Sequence, residues 1–89
     1  MWAVEYSPRA LKQLRKLDAG QRKLLLAWID KNLQGCANPR AMGKPLKGSL
    51  ADEWRYRFGD YRILCDIQDE RLVILALNID HRSRVYRQK

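Results

Sequence analysis

Residues 54–62 read Trp-Arg-Tyr-Arg-Phe-Gly-Asp-Tyr-Arg, and Arg55, Arg57 and Arg62 recur at a spacing that phosphate chemistry can use. Strict alternation over 54–58 sends the aromatics to one face of a strand and Arg55 and Arg57 to the other. Gly59-Asp60, glycine first, suits a two-residue type II′ hairpin turn. That turn predicts a register in which Phe58 faces Tyr61, Arg57 faces Arg62, Tyr56 faces Ile63, Arg55 faces Leu64 and Trp54 faces Cys65. Like charges directly opposite one another destabilise a sheet, on the roughly 0.2–1 kcal/mol scale of cross-strand pairs. A phosphate held between the two guanidinium forks turns that repulsion into attraction through charge-assisted hydrogen bonds. The competing reading is that Asp66 or Glu53 neutralises the pair from the same face, or that both arginines splay into water.

A second group of residues converges on this spot. Asp80-His81-Arg82-Ser83-Arg84-Val85-Tyr86-Arg87 follows the last apolar run. If that run pairs antiparallel with 61–68, its C-terminal end lies beside Tyr61 and Arg62. His81, Arg82 and Tyr86 are then expected near the arginine pair. A histidine can carry a proton and a tyrosine can stack on a base. With a single histidine, and with Cys36 and Cys65 far apart, no multi-histidine or close-spaced thiolate metal site is expected. No cofactor is expected either, and both thiols read as reduced, Cys65 buried on a strand.

These residues need elements to hold them. Residues 2–6 read as a short first strand. Ser7-Pro8 supplies a helix N-cap and a proline at the first helical position. Leu11, Leu14 and Leu17 recur along the first helix. Asp18 caps a second, with Leu25, Ile29 and Leu33 on one stripe and Gly35 at its end. Residues 36–50, with Pro39, Gly43, Pro45 and Gly48, read as a long irregular connection. Strands over 54–58, 61–68 and 72–79 form a meander whose last strand, apolar on both faces, belongs at the centre. The expected fold class is α+β: an N-terminal strand, a helical hairpin, then a three-stranded antiparallel meander packed on the helices, as a single domain over 1–89.

Bulk properties narrow the function. The chain has 89 residues and a formal charge of +8, which points to a polyanionic or acidic partner. Residues 1–48 carry ten Lys/Arg against three acids. Residues 49–89 carry eight against seven, and all but one of those eight are arginine. No apolar run approaches the ~18 residues of a membrane span, and the N-terminus lacks a signal peptide's apolar segment. The expectation is a cytoplasmic protein with no membrane partner.

Pro45-Leu46-Lys47-Gly48, the 54–64 stretch and His81 to Arg87, taken with the order of elements along nearly the whole chain, resemble the RelE/ParE toxin superfamily. The resemblance implies a compact α+β fold with an antiparallel or mixed sheet behind a helical hairpin. For the RelE-like branch it implies a metal-independent endoribonuclease of bacteria or archaea that cuts messenger RNA in the ribosomal A site. The substrate's own 2′-hydroxyl attacks the adjacent phosphate, leaving a 2′,3′-cyclic phosphate. By position, the family's basic site residues correspond to Arg55, Arg57, Arg62 and Arg82, with Tyr86 as the tail tyrosine. Lys44, Lys47 and Arg84 extend the RNA-binding set.

In that scheme Arg62 and Arg55 clamp the phosphate, Arg82 serves the leaving 5′-oxygen, and Tyr86 stacks a base or orients the 2′-hydroxyl. Familiar RelE members carry lysines where this chain has Arg55 and Arg57. Arginine, with a pKa above ~12, is a poor proton acceptor, which leaves His81 as the expected acid or base. The implied partners are a RelB-like antitoxin, the ribosome and its mRNA, with operator DNA as a target of the toxin–antitoxin complex. Two other readings stand beside this one: a ParE-like poison of DNA gyrase, and a catalytically silent member that only binds its antitoxin.

Overall fold

The computed structural model describes residues 1–45 and 53–81. Lys47, Arg82, Arg84 and Tyr86 lie outside the described residues. In chain order the elements are β1 (Ala3–Tyr6), α1 (Pro8–Lys16), α2 (Ala19–Asn32), a 3-10 turn (Pro39–Ala41), β2 (Lys44–Pro45), β3 (Glu53–Phe58), β4 (Tyr61–Gln68) and β5 (Val73–His81). They build one sheet in the order β1-β5-β4-β3-β2, with β1 parallel to β5 and the other pairs antiparallel.

The helices start where the sequence places their caps. Ser7 Oγ accepts from Ala10 N–H at 3.0 Å with Pro8 in the first turn, and Asp18 Oδ1 accepts from Gln21 N–H at 2.9 Å. Gly35, at φ +76°, ends the second helix and donates its N–H to Trp2 O at 2.7 Å, closing the hairpin onto β1. Leu14, Leu25, Ile29 and Leu33 bury against Tyr56, Ile63, Cys65, Ile67, Ile74 and Ile79 of the sheet. Leu11 is not part of this core and stands 41% exposed. A three-residue spacing drifts by about 60° per step around a 3.6-residue helix, so Ala10 takes the buried position.

Two expectations about the sheet are corrected. The connection over 36–50 is not wholly irregular, because Lys44 and Pro45 pair with Arg55 and Trp54 as a short edge strand. The meander is therefore the middle of a five-stranded mixed sheet. The last strand is central, as its apolar pattern implies, but it runs on to His81 and is not a simple alternation. Leu64 faces Asn78 while Cys65 faces Ala76, so Leu77 is an extra residue in a β-bulge. Beyond the bulge the parity of β5 reverses. Ile79 and His81 turn to the helix side, and Asn78 and Asp80 turn to the other.

The bulge is fastened from β1 and α1. Ser7 N–H donates to Ala76 O at 2.8 Å and Ser7 Oγ donates to Leu77 O at 3.0 Å, so one hydroxyl serves both the helix cap and the bulge. Nearly two turns later Gln13 takes over the β5 edge that β1 has left. Its Oε1 accepts from Ile79 N–H at 2.7 Å and its Nε2 donates to Asn78 Oδ1 at 2.6 Å. The 36–45 linker is equally tied down. Tyr56, fully buried, donates its hydroxyl to Pro39 O, Trp54 Nε1 donates to Met42 O at 2.7 Å, and Arg40 grips Asp69 through two 2.9 Å bonds. Gly43 sits at φ +80° with so little space that a Cβ there would meet Arg55 O at 2.5 Å.

Ser7→Ala removes a cap and a bulge bond together, and is expected to cost about 2 kcal/mol. The check is urea unfolding, read as a lower midpoint at unchanged slope. Gly43→Ala forces both a strained φ and a backbone clash. A loss of at least about 2 kcal/mol is expected, with a change in Trp54 fluorescence reporting release of its indole from Met42.

Candidate phosphate-binding face

The turn at Gly59-Asp60, with Gly59 at φ +57°, sets the β3–β4 register in the order the sequence implies. Arg57 faces Arg62 and Arg55 faces Leu64. The other side of the same hairpin, Tyr56, Ile63 and Cys65, is buried under the helices. Because one face is sealed by the core, the arginines have a single direction available.

Extended across the sheet, this face is a set of rows. One runs Arg57–Arg62–Asp80 over β3, β4 and β5, and the next runs Lys44–Arg55–Leu64–Asn78 from β2 to β5. A third runs Glu53–Asp66–Leu75. Among the described residues the first two rows hold four bases and one acid, Asp80, while Glu53 and Asp66 oppose each other further along. Neither neutralises the arginine pair. Asp66 accepts instead from Gln68 Nε2 at 3.0 Å, and among the described residues Arg55, Arg57 and Arg62 enter no ion pair.

Arg62 is the informative member. It is half-buried, and its Nε is fully enclosed with no hydrogen-bond partner. Burying a donor of a charged group without an acceptor costs more than about 1–3 kcal/mol. Such a group is tolerated where an incoming anion supplies the acceptor. Arg57 beside it is exposed, Arg55 is half-buried, and Lys44 is exposed at the short edge strand. Where β2 stops, β3 leaves a cavity of about 250 Å³ whose wall includes Trp28, Gly43, Lys44, Arg55 and Arg57.

His81 does not join them, which corrects the expectation that it lies with the arginine pair. It pairs with Tyr61, and its ring meets the Tyr61 ring edge-on at 5.0 Å between centroids. Its Nε2 lies 4.0 Å from Asp60 Oδ2. With Gln13, Lys16, Asp18 and Ile79 it lines a cavity of about 280 Å³ on the helix side of the sheet. The reason is parity: one residue beyond Asp80, alternation sends its side chain through to the opposite face. Asp80 itself, with Asn78, is what the sequence reading missed on the arginine face. The signal was present as two polar residues two apart in an otherwise apolar run, but a bulge is needed to interpret it.

Burial pushes the Cys65 thiol up to about 12, which fits an inert core cysteine. Hydrogen bonding to Arg40 holds the Asp69 carboxyl below its usual value at the far end of the molecule. Among the described residues no three His, Cys, Asp or Glu side chains are grouped as metal ligands would be, and no helix is long and apolar enough to cross a membrane.

Comparison with known proteins gives this geometry a family. A sequence profile described as the ParE toxin of the type II toxin–antitoxin system parDE matches residues 4–86. Toxin RelG of Mycobacterium tuberculosis is 32% identical over 88 residues, covering 98% of each chain. In the M. tuberculosis toxin–antitoxin complex RelBE2, a chain 30% identical superposes with a TM-score of 0.80 over 92% of both chains. In the archaeal RelE–RelB complex of Pyrococcus horikoshii, a chain 26% identical reaches 0.69, over 93% of this chain and 97% of that one. A profile spanning nearly the whole chain, together with full-length relatives of the same architecture, places this chain in the RelE/ParE superfamily as a RelE-like toxin of a type II toxin–antitoxin system.

Proposed function

We propose that this toxin is a ribosome-dependent, metal-independent endoribonuclease that cuts messenger RNA in the ribosomal A site and so halts translation. The observation that carries the reading is Arg57 opposite Arg62, with the enclosed Arg62 Nε lacking an acceptor. A stable sheet has no use for that arrangement, whereas a phosphodiester in transit to a pentavalent state does. Charge grows on the non-bridging oxygens during in-line displacement, and fixed guanidinium groups in a partly dehydrated site stabilise it without reorganising.

Arg62 and Arg55 act as the clamp. Arg57 contributes charge only, since arginine does not give up its proton. Arg82 serves the leaving 5′-oxygen and Tyr86 the base or the 2′-hydroxyl, roles that rest on their match to the family motif. Lys44, Lys47 and Arg84 follow the RNA backbone to either side. The same basic surface takes a RelB-like antitoxin when the toxin is held silent, in keeping with relatives solved as RelB–RelE complexes. The toxin–antitoxin pair binds its operator, and all of this takes place in the cytoplasm. The ParE description of the matching profile favours one second reading, a poison of DNA gyrase.

Brief expression in bacteria with mapping of mRNA 5′ ends separates the two. In-frame cuts within translated codons are expected, whereas DNA damage over intact RNA would transfer the protein to the gyrase class. Arg62→Ala and Arg82→Ala are each expected to slow cutting at least about 10²-fold while still capturing antitoxin. Binding to single-stranded RNA should weaken with salt at a log–log slope of about −0.7 per phosphate contacted, and Arg57→Gln should reduce that slope by about one contact.

A further inference from the structure

The arginine face can hold a phosphate, but the attacking hydroxyl must also lose a proton. Arginine cannot receive it at any working pH, and His81 is on the wrong side of the sheet with Tyr61. One carboxylate does share the row. Asp80 is the β5 register partner of Arg62, with Arg57 on the other flank of that arginine. The bulge at Leu77 is what delivers it there.

Asp80 is also held. Its Oδ2 accepts from Asn78 Nδ2 at 3.2 Å, Asn78 Oδ1 accepts from Gln13 Nε2 at 2.6 Å, and Gln13 Oε1 accepts from Ile79 N–H at 2.7 Å. A chain of amides anchored on α1 thus orients one carboxylate oxygen. Among the described residues the other oxygen makes no hydrogen bond, and no ion pair joins Asp80 to Arg62. Among the described residues the remaining acids of the face, Glu53 and Asp66, stand two rows away, roughly 14 Å along a strand rising ~3.4 Å per residue. Among the described residues the groups around Asp80 are Arg62 from β4, Arg57 beyond it on β3, Asn78 on its own strand, and Gln13 from α1 through Asn78. Lys16 and Asp18 lie with His81 across the sheet.

We propose that Asp80 is the general base of the cleavage, a reading that rests on the RNA-cutting function above. Neighbouring antiparallel residues sit ~4.5–5.5 Å apart at Cα. That spacing lets a guanidinium grip the phosphate while the adjacent carboxylate reaches a hydroxyl oxygen ~3–3.5 Å from phosphorus. In the step, the O2′–H bond breaks and its proton passes to the free Asp80 oxygen. The O2′–P bond forms as the P–O5′ bond breaks, and the 5′-oxygen takes a proton from water. Asp80 then returns its proton to solvent, so the products are a 2′,3′-cyclic phosphate and a 5′-hydroxyl with no net consumption of acid or base.

Single-turnover cleavage of ribosome-bound mRNA across pH tests this in the full chain. Asp80→Asn, nearly isosteric and still able to accept from Asn78, is expected to lower the rate constant 10²–10⁴-fold. It should also abolish the fall in rate on the acid side, while ribosome affinity stays equal or tightens as a negative charge is lost. Asp80→Glu, which keeps a carboxylate one methylene further out, should recover part of the rate and retain the acid limb. A positioning role alone would change the rate and leave the limb in place. The assignment is overturned if Asp80→Asn cuts within about threefold of wild type with its acid limb intact, or if the limb vanishes in Asp80→Glu or in His81→Ala instead. A wild-type chain that leaves ribosomal mRNA uncut overturns the functional reading and this one together, whereas the preceding results overturn the base alone.

Discussion

A single side chain, Ser7, sets where the last strand changes face. Its hydroxyl caps α1 and bonds Leu77 O, while its N–H holds Ala76 O. It therefore ends β1, begins the helix and pins the extra residue of the bulge in β5. Without that extra residue β5 would continue its Ile74–Ala76 alternation, and Asn78 and Asp80 would be driven into the helix side of the core. Two half-buried polar side chains with nothing to pair them would then face apolar surface, a penalty of several kcal/mol. With it, Ile79 and His81 take the inner face, and the outer face receives a carboxylate beside Arg62. The register of the row that holds Arg62 and Asp80 is thus decided by a β1–α1 corner that touches β5 but lies some seventy residues away in sequence.

The rest of the architecture follows from having to hold like charges together. Cross-strand arginines repel, and an enclosed Nε without an acceptor adds to the cost. The fold offsets this by spending its packing on the opposite side of the same two strands, where Tyr56, Ile63 and Cys65 are almost completely buried. Among the described residues Glu53 and Asp66 are kept two rows away, facing each other, and Asp80, which shares the row, forms no ion pair with Arg62. A face that is locally unfavourable and globally well supported is what preorganisation requires: the cost is met on folding, so the ligand does not meet it on binding.

How much of this the sequence discloses depends on the range of the interaction. The β3–β4 hairpin was legible pair by pair, because Gly59-Asp60 leaves one register and strict aromatic–arginine alternation leaves one facing. The caps at Ser7 and Asp18 and the stop at Gly35 were legible for the same reason, each being a bond within a few residues. The bulge was not, since it depends on Ser7 meeting Leu77. Nor was the edge strand at Lys44–Pro45, whose place is fixed by Trp54 Nε1 reaching Met42 O and by the clearance at Gly43. His81 was misplaced by the same cause: its position along the strand was right, but its facing needed the parity change upstream. Lys47, Arg82, Arg84 and Tyr86 rest on motif correspondence alone.

Arginine rather than lysine at positions 55 and 57 has a consequence for how a phosphate-binding face can divide its work. A lysine can both attract a phosphate and, once its pKa is depressed, take a proton, so one side chain can serve binding and transfer. An arginine separates the two, binding more firmly through its planar fork and never accepting. On the proposed reading, a face built from Arg55, Arg57 and Arg62 needs proton acceptance on a different residue, one near enough to reach the 2′-hydroxyl yet not locked into an ion pair with the clamp. Asn78 supplies that restraint by engaging one oxygen of Asp80. A carboxylate fully captured by Arg62 would neutralise the clamp and lose its own basicity. Held at the adjacent register position instead, it leaves the guanidinium open to a phosphate, and in the proposed mechanism the two functions that lysine can merge fall to neighbouring strands.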